Sequence, residues 1–149
     1  MSKWDSYFME LAKHVSSLSK DESTKIGAAI VGPDKEIRST GYNSFPRGVN
    51  DDEPNRQTRP MKYKWIEHAE RNAIFNAARI GVSLKGCTLY CSKWVPCTDC
   101  ARAIIQSGIT EVVVESIGDI VDRWKEDFEV SFQMFIESGV ILREMKKEF

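Results

Sequence analysis

The sequence has no long apolar run. No stretch of its 149 residues approaches the roughly 20 that a membrane-spanning helix needs, and Met1-Ser2-Lys3-Trp4-Asp5 has no apolar core of the kind that opens a secretory leader. No membrane association is expected, and a cytoplasmic, reducing location is. Net charge is also missing: 21 Lys and Arg against 22 Asp and Glu leave −1. No global basic field draws such a chain to nucleic acid, which is not expected as a partner, although a local basic pocket for one phosphate stays open. Internal repeats and low-complexity tracts are absent as well. The length suits a single domain, 1–149, able to bury roughly two thirds of its unfolded surface.

Cysteine is scarce, with only Cys87, Cys91, Cys97 and Cys100. In a reducing setting these read as metal ligands or buried thiols rather than disulfides. Cys87 and Cys91 bracket Cys-Thr-Leu-Tyr-Cys, which reads as a strand and places them about 13 Å apart. That is too far to chelate one ion, so both are expected as small buried hydrophobes.

Trp4, Tyr7, Phe8, Leu11, Val15 and Leu18 recur at helical spacing and predict a helix over Trp4–Lys20. Lys25–Val31 and Glu36–Tyr42 read as strands joined by the turn Gly32-Pro33-Asp34-Lys35. Asn43–Arg59 shows little periodicity and reads as a long functional loop, and Pro60–Lys64 has no clear assignment. Further on, helices are expected near His68–Ile80, Pro96–Ser107 and Val121–Ser138. Strands are expected at Cys87–Ser92, Glu111–Val114 and Val140–Met145. This alternation implies an α/β sheet covered on both faces.

Two short blocks carry chemistry: His68-Ala69-Glu70 and Pro96-Cys97-Thr98-Asp99-Cys100. Catalytic zinc typically takes three nitrogen or sulfur ligands and leaves a fourth position to water, and His68, Cys97 and Cys100 supply that set. Cys97 and Cys100 lie at i and i+3 of a helix expected to start at Pro96, so both sulfurs leave one face of its first turn. The free amides there favour thiolates. Glu70, two residues from His68, can stand beside the water and move its proton as catalytic residue. The run lacks the aromatic-Cys-Gly-Pro-Cys pattern of redox pairs. His-x-Glu followed by Pro-Cys-x-x-Cys is the pattern of zinc-dependent deaminases.

The chain resembles the cytidine deaminase superfamily, and within it the deoxycytidylate (dCMP) deaminases of phages and cells. The likeness runs from Trp4 to about Val113 through Ser19-Lys20-Asp21, Ser23-Thr24-Lys25, Gly41-Tyr42-Asn43, Phe45-Pro46-Arg47-Gly48, Lys62-Tyr63 and the two zinc blocks. It implies a three-layer α/β/α fold on a five-stranded mixed sheet, and hydrolysis of dCMP to dUMP by a zinc-activated water. One zinc per chain is expected, since His14 is the only other histidine and no free cysteine pair accompanies it. The resemblance further implies a homohexamer, activation by dCTP and inhibition by dTTP, with Mg²⁺ accompanying the triphosphate. It would place a phage-encoded protein in the host cytoplasm. It assigns Asn43 to the sugar and base of the substrate, Ala69 to the base edge, Lys25 to the phosphate, and Phe45 and Arg47 to the regulatory nucleotide. Two departures stand out: Ser44 replaces a common glycine, and Lys93-Trp94-Val95 replaces the usual run before Pro96, putting Trp94 in the pocket wall. Alternative substrates are a free nucleoside, or a base in tRNA or single-stranded DNA. A nucleotide sensor without turnover would have no use for Glu70.

Overall fold

A computed structural model describes residues 2–118 and 122–145. Its five strands are β1 (Gly27–Val31), β2 (Ile37–Tyr42), β3 (Thr88–Cys91), β4 (Glu111–Val114) and β5 (Ile141–Glu144). They form one sheet in the order β2-β1-β3-β4-β5. β1 pairs antiparallel with β2 and β3, while β3–β4 and β4–β5 are parallel, so the sheet is mixed.

Residue parity sorts the core into two layers, because successive side chains of a strand leave opposite faces. Ala29, Val31, Tyr90 and Val113 pack with Phe8, Met9 and Ala12 of α1 (Lys3–Ser16). Ala28, Ile30, Leu89, Cys91, Val112 and Val114 face the other way. They meet α4 (Ala69–Ile80), α5 (Thr98–Gln106) and α6 (Asp122–Ser138). This is the expected three-layer α/β/α arrangement. Every residue of β1 is buried, as a central strand covered on both faces requires.

Several boundaries differ from the sequence expectation. α1 stops at Ser16, where the hydroxyls of Ser16 and Ser17 donate to the carbonyls of Lys13 and His14 and finish the helix early. The loop after β2 holds two single-turn helices, α2 (Pro54–Gln57) and α3 (Lys62–Trp65), too short to show a period. α5 starts at Thr98 rather than Pro96, because Cys97 has extended backbone and is the N-cap. The expected start of α6 at Val121 lies outside the described residues. Among those described, no helix is long and apolar enough to cross a membrane.

One glycine matters for placing the site. A side chain at Gly41 would sit 2.3 Å from the backbone nitrogen of Ala73. Its absence lets α4 lie directly on β2, where Asn72 and Asn76 donate to the carbonyls of Tyr42 and Thr40 at 2.8 Å each.

Candidate active site

His68 is the N-cap of α4, with extended backbone (φ −74°, ψ 154°), and Glu70 lies in the first turn of the helix. The chain enters α4 along a backbone pair in which Glu67 donates to Ser44 at 2.8 Å and Ser44 donates to Glu67 at 3.1 Å. Ser44, where the resemblance expected glycine, also accepts from Asn72 through its hydroxyl. Cys97 caps α5 and Cys100 follows within its first turn. That cap is held from α6, where the Asp127 carboxylate accepts from both the Thr98 amide (3.0 Å) and the Thr98 hydroxyl (2.8 Å). Arg71 ties the two helix starts together by pairing with both Glu67 and Asp99.

These supports bring three donors together. His68 Nδ1 lies 3.3 Å from the Cys97 sulfur and 3.5 Å from that of Cys100. Around a tetrahedral zinc, bond lengths of about 2.0–2.3 Å put nitrogen and sulfur ligands roughly 3.6 Å apart, so the cluster has the size and chemistry of a zinc site. Among the described residues, it is the one group of three or more such ligands within reach of a single ion. A hydrogen bond from Cys100, assisted by His68, holds the Cys97 thiol down to about 4, whereas burial raises that of Cys100. Burial disfavours the His68 imidazolium, but the hydrogen bond and charge of Cys97 outweigh it and raise the histidine.

The cluster opens on a cleft of about 820 Å³, including its mouth. Glu70 is 4% exposed and lies on its floor with Ala69 and Cys91. Asn43 and Trp94 stand in its walls. The Asn43 side chain is fixed, accepting from the Ile26 amide at 2.9 Å and donating to the Thr24 carbonyl at 2.8 Å. Lys25 is placed elsewhere: Thr24 and Ile26 line the cleft, while Lys25 between them is exposed and does not. Among the described residues, the Lys and Arg side chains that line it are Arg59, Lys62 and Arg123. Lys62 is committed to Asp21 at 3.2 Å, both side chains being buried. Burial raises the Asp21 carboxyl, but the amides of Thr24 and Ser23 together with Lys62 bring it below the usual carboxylate range. Arg59 is steadied by the Tyr63 hydroxyl at 2.7 Å, and Tyr63 meets Trp124 edge to face.

A second cleft, of about 930 Å³, is bounded by Phe45, Arg47, Lys20 and Asp51. Arg47 donates to the Asn76 side chain at 2.8 Å, and Phe45 stacks on Trp65. Asp21, Asn43 and Ile66 line both clefts and form the wall between them.

Residues 2–116 match the model of the cytidine and deoxycytidylate deaminase zinc-binding region. The chain belongs to the cytidine and deoxycytidylate deaminase family. An uncharacterized deaminase of Aliivibrio fischeri is 41% identical over 141 residues, covering 94% of this chain and 92% of that protein. The human deoxycytidylate deaminase is 36% identical over 148 residues, covering 95% of this chain and 79% of its own length. The dCMP deaminase of cyanophage S-TIM5, solved with dCMP and dUMP, superposes with a TM-score of 0.77 at 26% identity, covering 97% of this chain and 99% of that one.

Within this deaminase, the donors expected from the two motifs lie together, and Asn43, Ala69 and Trp94 line the same cleft. Phe45 and Arg47 lie in the neighbouring one. Sequence reasoning missed Arg59, Arg123 and Asp127. Arg59 sits in a segment without periodicity, and Arg123 and Asp127 join the site from α6 through tertiary packing alone.

Proposed function

We propose that this deaminase hydrolyses dCMP to dUMP and ammonia, supplying dUMP for thymidylate synthesis. The observation that carries the reading is a buried carboxylate, Glu70, beside a His-Cys-Cys cluster on the floor of a cleft that has arginines in its lining. Zinc held by His68, Cys97 and Cys100 would supply a water acidified to a pKa of about 7. Glu70 accepts one proton from the attacking water and passes it to the ring nitrogen, then carries the second, from the added hydroxyl as it becomes the carbonyl, to the amine that departs as ammonia. Asn43 holds the sugar and base, the Ala69 backbone meets the base edge, and Trp94 closes one wall against water. Arg59 and Arg123 take the phosphate role first assigned to Lys25, since Lys62 is already neutralised by Asp21. One zinc serves each chain.

Regulation belongs to the second cleft. Phe45 and Arg47 are the residues for a regulatory triphosphate carried with Mg²⁺, dCTP activating and dTTP inhibiting, and the working assembly is a homohexamer. The shared wall of Asp21, Asn43 and Ile66 supports coupling between the clefts, and the exposed Phe75 and Ile80 of α4 offer apolar area for subunit contact.

Ammonia release, or the ultraviolet change of cytosine-to-uracil conversion, tests this with zinc-loaded protein on dCMP, CMP, deoxycytidine and dCTP. Each is run with and without added dCTP or dTTP at fixed Mg²⁺. Turnover confined to dCMP, raised by dCTP and cut by dTTP, is expected. Equal turnover of deoxycytidine would remove the phosphate contact, and silence on all four would remove the activity. Sizing by light scattering checks the hexamer.

A further inference from the structure

Cys91 belongs to neither zinc block, and by composition it is a small apolar residue filling core. Its surroundings give it more to do. It is the last residue of β3, paired with Ala28 on one side and Val114 on the other. The next residue, Ser92, accepts from the Gly27 amide through its hydroxyl at 2.9 Å, so the strand end is held firmly. Strand parity turns Cys91, with Leu89, toward the layer of α4 and α5. There its sulfur lies 3.3 Å from Glu70 Oε1, with Cys91 1% and Glu70 4% exposed. The carboxylate can only accept, so the thiol donates.

We propose that Cys91 is a positioning residue for the deaminase reaction, its S–H holding one oxygen of Glu70 so that the other is aimed at the water and the base. A buried carboxylate on the first turn of a helix has rotamers to choose from, and a weak donor on a rigid central strand selects among them. A thiol suits the task because it gives direction without the stronger hold of a hydroxyl or amide. The inference rests on the deaminase reading, and Cys91, although it lines the cleft floor, is no part of the His68-Cys97-Cys100 cluster.

The test compares Cys91→Val and Cys91→Ala, which lack the donor and differ in bulk, with Cys91→Ser, which keeps one. Zinc content is measured in each. Both donor-free variants should lose about three- to tenfold in kcat on dCMP with KM unmoved, and Ser should recover most of it. A second readout needs no turnover: the infrared S–H stretch of Cys91, assigned by its loss in Cys91→Ser, should move in Glu70→Gln. Zinc-loaded protein leaves only Cys87 and Cys91 carrying S–H, which keeps the band assignable. Equal losses in Ser, Val and Ala, losses that follow bulk, or an S–H band unmoved by Glu70→Gln would each overturn the proposal. Wild-type protein silent on dCMP would instead sink the deaminase reading, and the S–H band would still decide whether the contact exists.

Discussion

At the floor of the cleft, His68, Glu70, Cys97 and Cys100 come from the starts of two helices braced against each other by Arg71 and against the sheet by Asn72. At its mouth, Arg59 and Arg123 come from segments 64 positions apart, one beside a single-turn helix and one on the first turn of α6. The floor is held by capping and helix geometry, which act over a few residues. The mouth is held by side-chain packing, Arg59 on Tyr63 and Tyr63 on Trp124. The metal-ligand cluster thus sits on the part held by local geometry, and the arginines proposed for the phosphate sit on the part held by packing between distant segments.

The two regions should therefore fail differently. Removing the metal with a chelator, or substituting Cys97→Ala, is expected to abolish dCMP turnover altogether, with metal analysis confirming the loss. Glu70→Gln should retain zinc and still bind dCMP but turn over about 10²–10⁴-fold more slowly. Retained activity would take Glu70 out of proton transfer. At the mouth, Arg123→Ala should lower kcat/KM for dCMP by about tenfold or more while leaving deoxycytidine unaffected, as loss of a charge-assisted hydrogen bond predicts. Equal losses on both substrates would mean that the arginine supports the fold instead. Asp127→Ala removes the carboxylate that holds the Thr98 amide and hydroxyl at the start of α5 and should lower Tm by about 2–4 °C, measured by calorimetry on the zinc-loaded protein.

The smallest expected effect lies far from the cleft and serves as a control. Arg143 reaches Asp5 at 2.9 Å and Glu111 at 2.7 Å, and Tyr90 donates to Asp5 at 2.8 Å, joining β5 and β3 to α1. The Arg143 guanidinium holds the Asp5 carboxyl below the usual carboxylate range despite its burial. A depressed carboxylate stabilises the fold above its unfolded value near pH 4, and the stabilisation is lost as pH falls through the lower folded value. Asp5→Asn should flatten the fall in Tm below about pH 4 and leave dCMP turnover at neutral pH unchanged.

The floor was legible in the sequence because its parts are local: a histidine two residues from a glutamate, and two cysteines three apart beside a proline. Their spacing stays informative even though Pro96 proved to lie outside the helix and Cys97 to cap it. The alternation of strands and helices fixed the layers for the same reason. The mouth was not legible. Lys25 is exposed although its neighbours Thr24 and Ile26 line the cleft, and nothing in the composition of three successive residues says which of them faces it. Asp127, which holds the α5 cap, lies 29 positions from its partner, and nothing in the intervening sequence marks the pairing.

The wall of Asp21, Asn43 and Ile66 has a thermodynamic consequence. A partition touched from both sides cannot transmit in one direction only. Whatever factor a nucleotide in the Phe45–Arg47 cleft imposes on the affinity for dCMP, dCMP must return to that nucleotide, because binding free energies around a closed cycle sum to zero. If dCTP activates and dTTP inhibits through that cleft, as proposed above, a rise in substrate tightens the hold on the first and loosens the hold on the second.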